Sequence, residues 1–213
     1  MTDPGTAAEA KAELRRQLRA ARARRPRAAR EHAARGFERH LTELLADRPR
    51  LDVAGYLPLP TEPPIEPALA AAHHGGHRVW VPVCEPGRRL AWAAWSPDTA
   101  VRTGGRAGLR EPVGPRHGAE VMRTVGLLLV PALAVAPDGA RLGFGGGYYD
   151  RFLAGLPRVA HPRLRPAVCV FADEVLPAGR VPVDELDAPV ALALTESGPV
   201  PLDGSTGAAP RRR

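Results

Sequence analysis

An α/β domain, with helices on both faces of a mostly parallel central sheet in a three-layer α/β/α arrangement, is the fold class this 213-residue sequence predicts. Three observations predict it. Short, strongly apolar runs at 51–57, 78–83, 125–135, 167–171 and 190–194 read as buried strands. Stretches with helical spacing alternate with them, as in parallel α/β units. A glycine-rich run follows the longest apolar run closely, and such sheets hold ligands outside the carboxyl ends of their strands.

The elements follow in order. Thr6-Ala7-Ala8-Glu9 has capping-box spacing, and a helix is expected from there to about residue 23. Ala7, Ala10, Leu14, Leu18 and Ala21 form its narrow apolar stripe. Lys11 and Arg15 lie four apart along one edge of that stripe; the bland reading of basic residues here is a solvated face. Pro26 opens a second helix, to about residue 46, with Phe37, Leu41, Leu44 and Leu45 facing the core. The first strand, 51–57, enters through Asp52 and leads into a proline-rich loop at 58–64. A helix over 65–74 ends at Gly75-Gly76. Glu62 precedes it, where a carboxylate suits a helix N-terminus. His73, His74 and His77 have no adjacent Cys or acidic partner and read as a solvated helix end, not a metal site.

The second strand covers 78–83, and a third, 90–95, can return antiparallel. Trp80, Trp92 and Trp95 read as core or sheet-face residues. Residues 97–120 are loop-rich. The central strand, 125–135, turns at Pro137-Asp138-Gly139 into the glycine run, and a short helix is expected over 148–156. A connection over 157–166, a strand at 167–171, a segment at 181–187 and a last strand at 190–194 complete a domain covering 1–197. The stretch from 198 to 213, rich in Pro, Gly and Ser and ending in three arginines, reads as a disordered tail.

Composition narrows the function classes. The hydrophobic content of 44% is that of a globular chain. No apolar run reaches transmembrane length, and the N-terminus is charged rather than signal-like. Cys84 and Cys169 sit far apart in apolar runs and read as buried thiols, which fits a reducing, cytoplasmic compartment. The net charge of +7 suggests nucleic acid until its distribution is examined. Residues 1–50 hold 13 basic and 7 acidic side chains, the three terminal arginines add three charges, and the remainder nets −2. The body is therefore not a basic surface, and no zinc-finger, helix-turn-helix or RNA-binding aromatic motif is present. Neither nucleic acid nor membrane is an expected partner. Lys11 is the single lysine among 30 basic residues.

The run Arg141-Leu142-Gly143-Phe144-Gly145-Gly146-Gly147-Tyr148-Tyr149-Asp150-Arg151 carries the chemistry. Four glycines in five residues let the backbone approach a ligand and adopt positive φ. A strand, a glycine loop and a helix start together place N–H groups around an anion, with Arg141 and Arg151 on either side. Walker A fails because no Lys-Ser/Thr follows, and the dinucleotide pattern fails because position 148 is Tyr. A glycine-rich turn backed by two aromatics is the structural alternative.

This run resembles the signature of the 5-formyltetrahydrofolate cyclo-ligase (methenyltetrahydrofolate synthetase) family, and the resemblance extends over roughly residues 9–196. Lys11 and Arg15, in Lys-Ala-Glu-Leu-Arg, are similar to the family's ATP-phosphate-binding start. The resemblance implies ATP binding by Lys11, Arg15, Arg141, Leu142, Gly143, Phe144, Gly145, Gly146, Gly147, Tyr148 and Tyr149. It implies folate binding by Leu57, Glu62, Tyr148 and Tyr149, and Mg²⁺ held by Asp150 and Asp187. Lys11, Arg15, Arg141 and Asp150 are the implied catalytic residues. Gly108-Leu109-Arg110-Glu111-Pro112 resembles a family segment near the site. Relatives often carry His where Leu186 stands, and the prolines at 58 and 60 also depart from the family pattern.

The implied reaction is ATP- and Mg²⁺-dependent cyclisation of 5-formyltetrahydrofolate to 5,10-methenyltetrahydrofolate by a monomer, releasing ADP and phosphate. It needs no nucleophilic Ser or Cys, only in-line placement and neutralised phosphoryl charge. Two other classes compete. An enzyme of phosphorylated small molecules would act without ATP and leaves Lys11, Arg15 and Asp187 unexplained. A nucleic-acid module using the basic helices would bind in a salt-sensitive way and leaves the glycine loop unexplained.

Overall fold

The computed structural model describes residues 4–46, 51–103, 108–156, 162–183, 187 and 189–203. Its centre is a seven-stranded sheet of β1 (Asp52–Ala54), β2 (Val79–Glu85), β3 (Arg89–Trp95), β6 (Val125–Pro131), β9 (Arg165–Cys169), β10 (Leu192–Thr195) and β11 (Gly198–Pro201), in the order β11-β10-β9-β6-β1-β2-β3. The five inner strands are parallel, and β3 and β11 pair antiparallel at the two edges. Four shorter strands form two hairpins apart from the sheet: β4 (Val101–Thr103) with β5 (Arg110–Pro112), and β7 (Ala134–Val135) with β8 (Arg141–Leu142).

The layers follow from strand alternation. On β6, Leu127 and Leu129 join one core cluster and Leu128 and Val130 the other, so the strand is apolar throughout because both faces are covered. Helices α2 (Arg27–Ala46) and α3 (Glu66–His74) cover the first face, α2 through Ala33, Phe37, Leu41 and Leu45 at helical spacing. Helix α4 (Tyr148–Gly155) and a 3-10 turn at Ala119–Arg123 cover the second through Leu153, Val121 and Met122. Gly36 lets α2 lie close to the β10–β11 turn, since a Cβ there would stand 2.2 Å from the Glu196 carbonyl oxygen. Helix α1 (Pro4–Ala23) covers neither face. Leu14 and Leu18 pack on the β7–β8 hairpin, against a cluster that includes Leu133 and Leu142.

Several sequence expectations change. The strand at 51–57 shortens to Asp52–Ala54, and the chain from Gly55 to Leu59 is irregular ahead of Pro60. The run at 125–135 divides into β6 and β7, because Ala134 and Val135 pair antiparallel with β8 instead of continuing the sheet. The expected tail at 198–213 does not begin at 198. Gly198–Pro201 is strand β11, closed by a tight turn with Gly198 at φ 135°. Pro199 and Pro201 are tolerated because β11 is an edge strand. Residues 204–213, Leu186 and the Thr6 side chain lie outside the described set.

The sheet order places the site. From β1 the chain runs through α3 to β2 on one side, and β6, β9 and β10 lie on the other. The order reverses between β1 and β6, and the crevice beyond their carboxyl ends is where an open α/β sheet binds ligands.

Candidate active site

A cavity of about 700 Å³ opens at that crevice. Tyr56 and Leu57 line it from the end of β1, Pro82 and Cys84 from β2, Pro131 and Leu133 from the end of β6, and residues 143–150 from the glycine loop and α4. The β5 segment contributes Leu109, Arg110 and Glu111, and α1 contributes Arg19 and Arg22.

The glycine-loop wall is built by α1. Arg15 Nε donates to the Gly143 carbonyl oxygen at 2.9 Å, and Arg19 Nη2 donates to the Phe144 carbonyl oxygen at 2.9 Å. A trans peptide points its N–H opposite its C=O. The N–H groups of Phe144 and Gly145 are therefore turned away from α1. Gly145 and Gly147 have φ of 93° and 70°, left-handed values that other residues adopt only with strain. Gly147 is also the N-cap of α4 and supplies no side-chain cap. The first N–H groups of the helix thus keep donors to offer an anion.

Two ion pairs join charged residues that the sequence singles out. Arg141, buried on β8, donates through Nη2 to Asp150 Oδ1 in the first turn of α4. Lys11, also buried, donates to Asp187 Oδ2 at 2.6 Å. Asp150 lines the cavity; Arg15 holds the loop through Gly143 without lining the cavity, and neither Lys11 nor Asp187 lines it. The structure therefore joins Arg15 to the glycine loop, Arg141 to Asp150 and Lys11 to Asp187 as three separate contacts. Among the described residues no group of three or more His, Cys, Asp or Glu side chains could hold a metal.

The β1 wall differs. Glu62 is 6% exposed, and its Oε2 accepts the Leu59 N–H at 2.7 Å. Burial raises its carboxyl to about 7, against the pull of the Leu59 N–H and the Arg22 guanidinium. Burial also holds the Tyr56 and Tyr149 hydroxyls well above the usual phenol range. Cys84 is partly buried and Cys169 fully buried; both are free thiols, pushed up by burial. Cys84 lines the cavity, and its N–H donates to Glu111 Oε1 at 2.9 Å.

Leu57, Glu62, Arg141, Tyr148, Tyr149 and Asp150, together with the glycines at 143 and 145–147 and Phe144, all meet on this cavity, and buried Leu142 lies in β8 beside it. Sequence reasoning gave no site role to Arg19, Arg22 or Tyr56, read Cys84 only as a buried thiol, and placed the 108–112 segment near the site without a role for Glu111. A basic stripe at positions 15, 19 and 22 is a pattern in the sequence, but nothing in it tells a solvated arginine from a buried one.

The fold and the site together define a parallel α/β domain whose switch-point crevice is lined by a glycine loop and by arginines of α1 and β8. Residues 7–196 match the 5-formyltetrahydrofolate cyclo-ligase family, and the chain belongs to that family. It is 40% identical over 106 residues to the 5-formyltetrahydrofolate cyclo-ligase of Mycolicibacterium smegmatis, covering 47% of this chain and 54% of that protein. The match thus spans about half the length of that relative. The Escherichia coli protein of the same name is 27% identical over 147 residues, covering 68% of this chain and 78% of the relative. The NMR structure of Aquifex aeolicus 5,10-methenyltetrahydrofolate synthetase superimposes with a TM-score of 0.67 at 26% identity, covering 95% of this chain and 96% of that one. No described helix is long and apolar enough to cross a membrane.

Proposed function

We propose that this chain converts 5-formyltetrahydrofolate and ATP into 5,10-methenyltetrahydrofolate, ADP and phosphate in the cytoplasm. The observation that carries this reading is that one cavity joins two unlike walls. One is a glycine loop with uncapped N–H donors beside a buried arginine; the other is an apolar wall with a buried carboxyl. The first suits phosphate and the second suits a flat heterocycle bearing N–H groups. Membership of the family supplies the particular substrate pair.

The formyl group on N5 is an amide, so its carbon is a poor electrophile and its oxygen a poor leaving group. Transfer of the γ-phosphoryl group to that oxygen breaks the bond to ADP and leaves an activated carbon. N10 attacks this carbon, loses its proton, and expels inorganic phosphate, leaving N5 and N10 bridged by a methenyl carbon. The chain's part is to position both substrates and hold phosphoryl charge. Arg141 and the glycine loop line the cavity and hold the phosphates through the guanidinium and backbone N–H groups; Lys11 and Arg15 add charge from α1. Leu57, Tyr148 and Tyr149 pack against the folate, and Glu62 accepts its N–H groups.

Asp150 and Asp187 are the carboxylates that would hold Mg²⁺. Two carboxylates completed by phosphate and water oxygens suit this hard cation. Each carboxylate is paired with a cation, Asp150 with Arg141 and Asp187 with Lys11, and the same two cations would neutralise phosphate charge beside the metal. When bound, Mg²⁺ would neutralise charge on the phosphates. The test incubates purified protein with 5-formyltetrahydrofolate, Mg²⁺ and ATP. Methenyl product should form with equal ADP and only with ATP; product without ATP, or none at all, refutes the reading.

A further inference from the structure

Six buried side-chain nitrogen or oxygen atoms lack a hydrogen-bond partner among the described residues, and four belong to residues that line the one cavity: Arg22 Nη1, Tyr56 OH, Arg141 Nε and Tyr149 OH. Buried polar atoms without partners are rare and costly, so their gathering on one cavity points to a ligand that completes them. Arg22 stands out among the four because its remaining donors are already committed. It is 1% exposed, and its Nε and Nη2 donate to the two Glu174 oxygens at 2.7 Å each. Nη2 also donates to the Ala132 carbonyl oxygen at 2.6 Å. Its guanidinium carbon lies 5.7 Å from the ring centroids of both Phe144 and Phe171. The fork is thus locked in orientation, and Nη1 is the one guanidinium nitrogen without a partner among the described residues, in a side chain that lines the cavity.

We infer that Arg22 is a substrate-binding residue, donating from Nη1 to the 4-oxo oxygen of the pteridine while Glu62 accepts the neighbouring N–H groups of the same ring edge. This rests on the reaction proposed above. A 2-amino-4-oxo pteridine presents two N–H donors and then a carbonyl acceptor along one edge. A carboxylate beside a guanidinium is the complement of that edge, two acceptors and then a donor. Arg22 and Glu62 line the same cavity, and the Arg22 charge is felt at both Glu62 and Tyr56. Glu174 neutralises the buried guanidinium, so the cation remains in place without a ligand.

The experiment measures binding of 5-formyltetrahydrofolate and of its 4-amino analogue, which carries a donor where the substrate carries the acceptor. Wild type should prefer the 4-oxo compound. Arg22→Gln alone strands the Glu174 carboxylate, so the paired variant Arg22→Gln with Glu174→Gln is used, and its thermal unfolding is recorded alongside. Loss of a hydrogen bond from a charged donor should weaken 4-oxo binding about 10- to 100-fold, with binding of the 4-amino analogue unchanged. A parallel fall for both ligands would make Arg22 a structural residue and overturn the inference, as would undiminished 4-oxo binding. Failure of wild type to bind 5-formyltetrahydrofolate at all would instead overturn the proposed function, and this inference with it.

Discussion

The two walls of the cavity solve opposite problems. On the glycine-loop side the charged groups already have partners: Arg141 Nη2 with Asp150 and Arg15 with a loop carbonyl, as Lys11 has in Asp187, and Arg141 Nε alone among them has none among the described residues. On the β1 wall the polar groups are buried and incompletely satisfied: Glu62 is held near neutrality, and the Tyr56 hydroxyl has no partner among the described residues, nor has the Tyr149 hydroxyl at the start of α4. A wall that grips a highly charged, exchangeable ligand must stay soluble and folded without it, and internal ion pairs allow that. A wall that recognises a flat heterocycle gains selectivity by leaving buried polar atoms for the ligand to complete. On the function proposed above, binding on the first wall would be an exchange of partners, and on the second a filling of vacant bonds.

The largest effects should come from breaking the first wall. Lys11→Ala and Asp150→Ala each remove an electrostatic contact proposed to strengthen in the transition state. Each should lower turnover by a factor of about a hundred to a thousand, with circular dichroism still reporting a folded chain. Turnover at the wild-type rate from either folded variant would remove that residue from the chemistry.

Next in size is Glu62. Its carboxyl has an ordinary value of 4.5 and stands at about 7 when folded. Between those values the folded state keeps a proton that the unfolded state has lost. Ligand-free stability should therefore fall as pH rises from about 4.5 to 7 and level off above, by up to about 3 kcal/mol. Glu62→Gln should flatten that slope in thermal or denaturant unfolding. It should also raise KM for the folate at least tenfold while leaving KM for ATP nearly unchanged, since the two walls are separate. Equal changes in both constants would show that they are not.

How far each wall can be read from sequence follows from the same contrast. The glycine loop was legible because its chemistry is local: Gly143 to Asp150 are consecutive, and strand, loop and helix start are neighbours in the chain. The parallel sheet was legible from apolar runs such as 125–131, where burial on both faces leaves no alternation to misread. The β7–β8 and β4–β5 hairpins were missed because strands of two or three residues carry no periodicity. Arg22 was missed for a different reason. Its burial depends on Glu174, 152 positions away, and on Phe144 and Phe171. A guanidinium in solvent and one locked in a cavity wall have the same one-letter code and the same helical spacing.

A smaller effect should follow from Gly147→Ala. The φ of 70° at this position is left-handed, and a Cβ there would come within 3.4 Å of Arg88 Nη1. A side chain in that conformation costs about 1–2 kcal/mol. Stability should drop by that order, and KM for ATP should rise several-fold with little change in KM for the folate. The same substitution at Gly155, where a Cβ would meet nothing within 4 Å, is the control and should leave both constants alone.

The finest test counts protons. With its carboxyl at about 7, Glu62 is about half protonated at neutral pH in the ligand-free protein. A heterocycle that donates N–H groups to it favours the ionised form, so folate binding should expel a proton. The number released should be about one half at pH 7 and should increase toward one at lower pH, as long as the bound carboxyl stays ionised. Titration calorimetry in buffers of different ionisation enthalpy measures this directly. The difference between wild type and Glu62→Gln isolates the contribution of this carboxyl from any proton carried by the ligand. ATP alone, bound on the other wall, should show no such difference. If it did, the carboxyl and the glycine loop would have to share one ligand, and the division of the cavity into a wall for exchange and a wall for completion would fail.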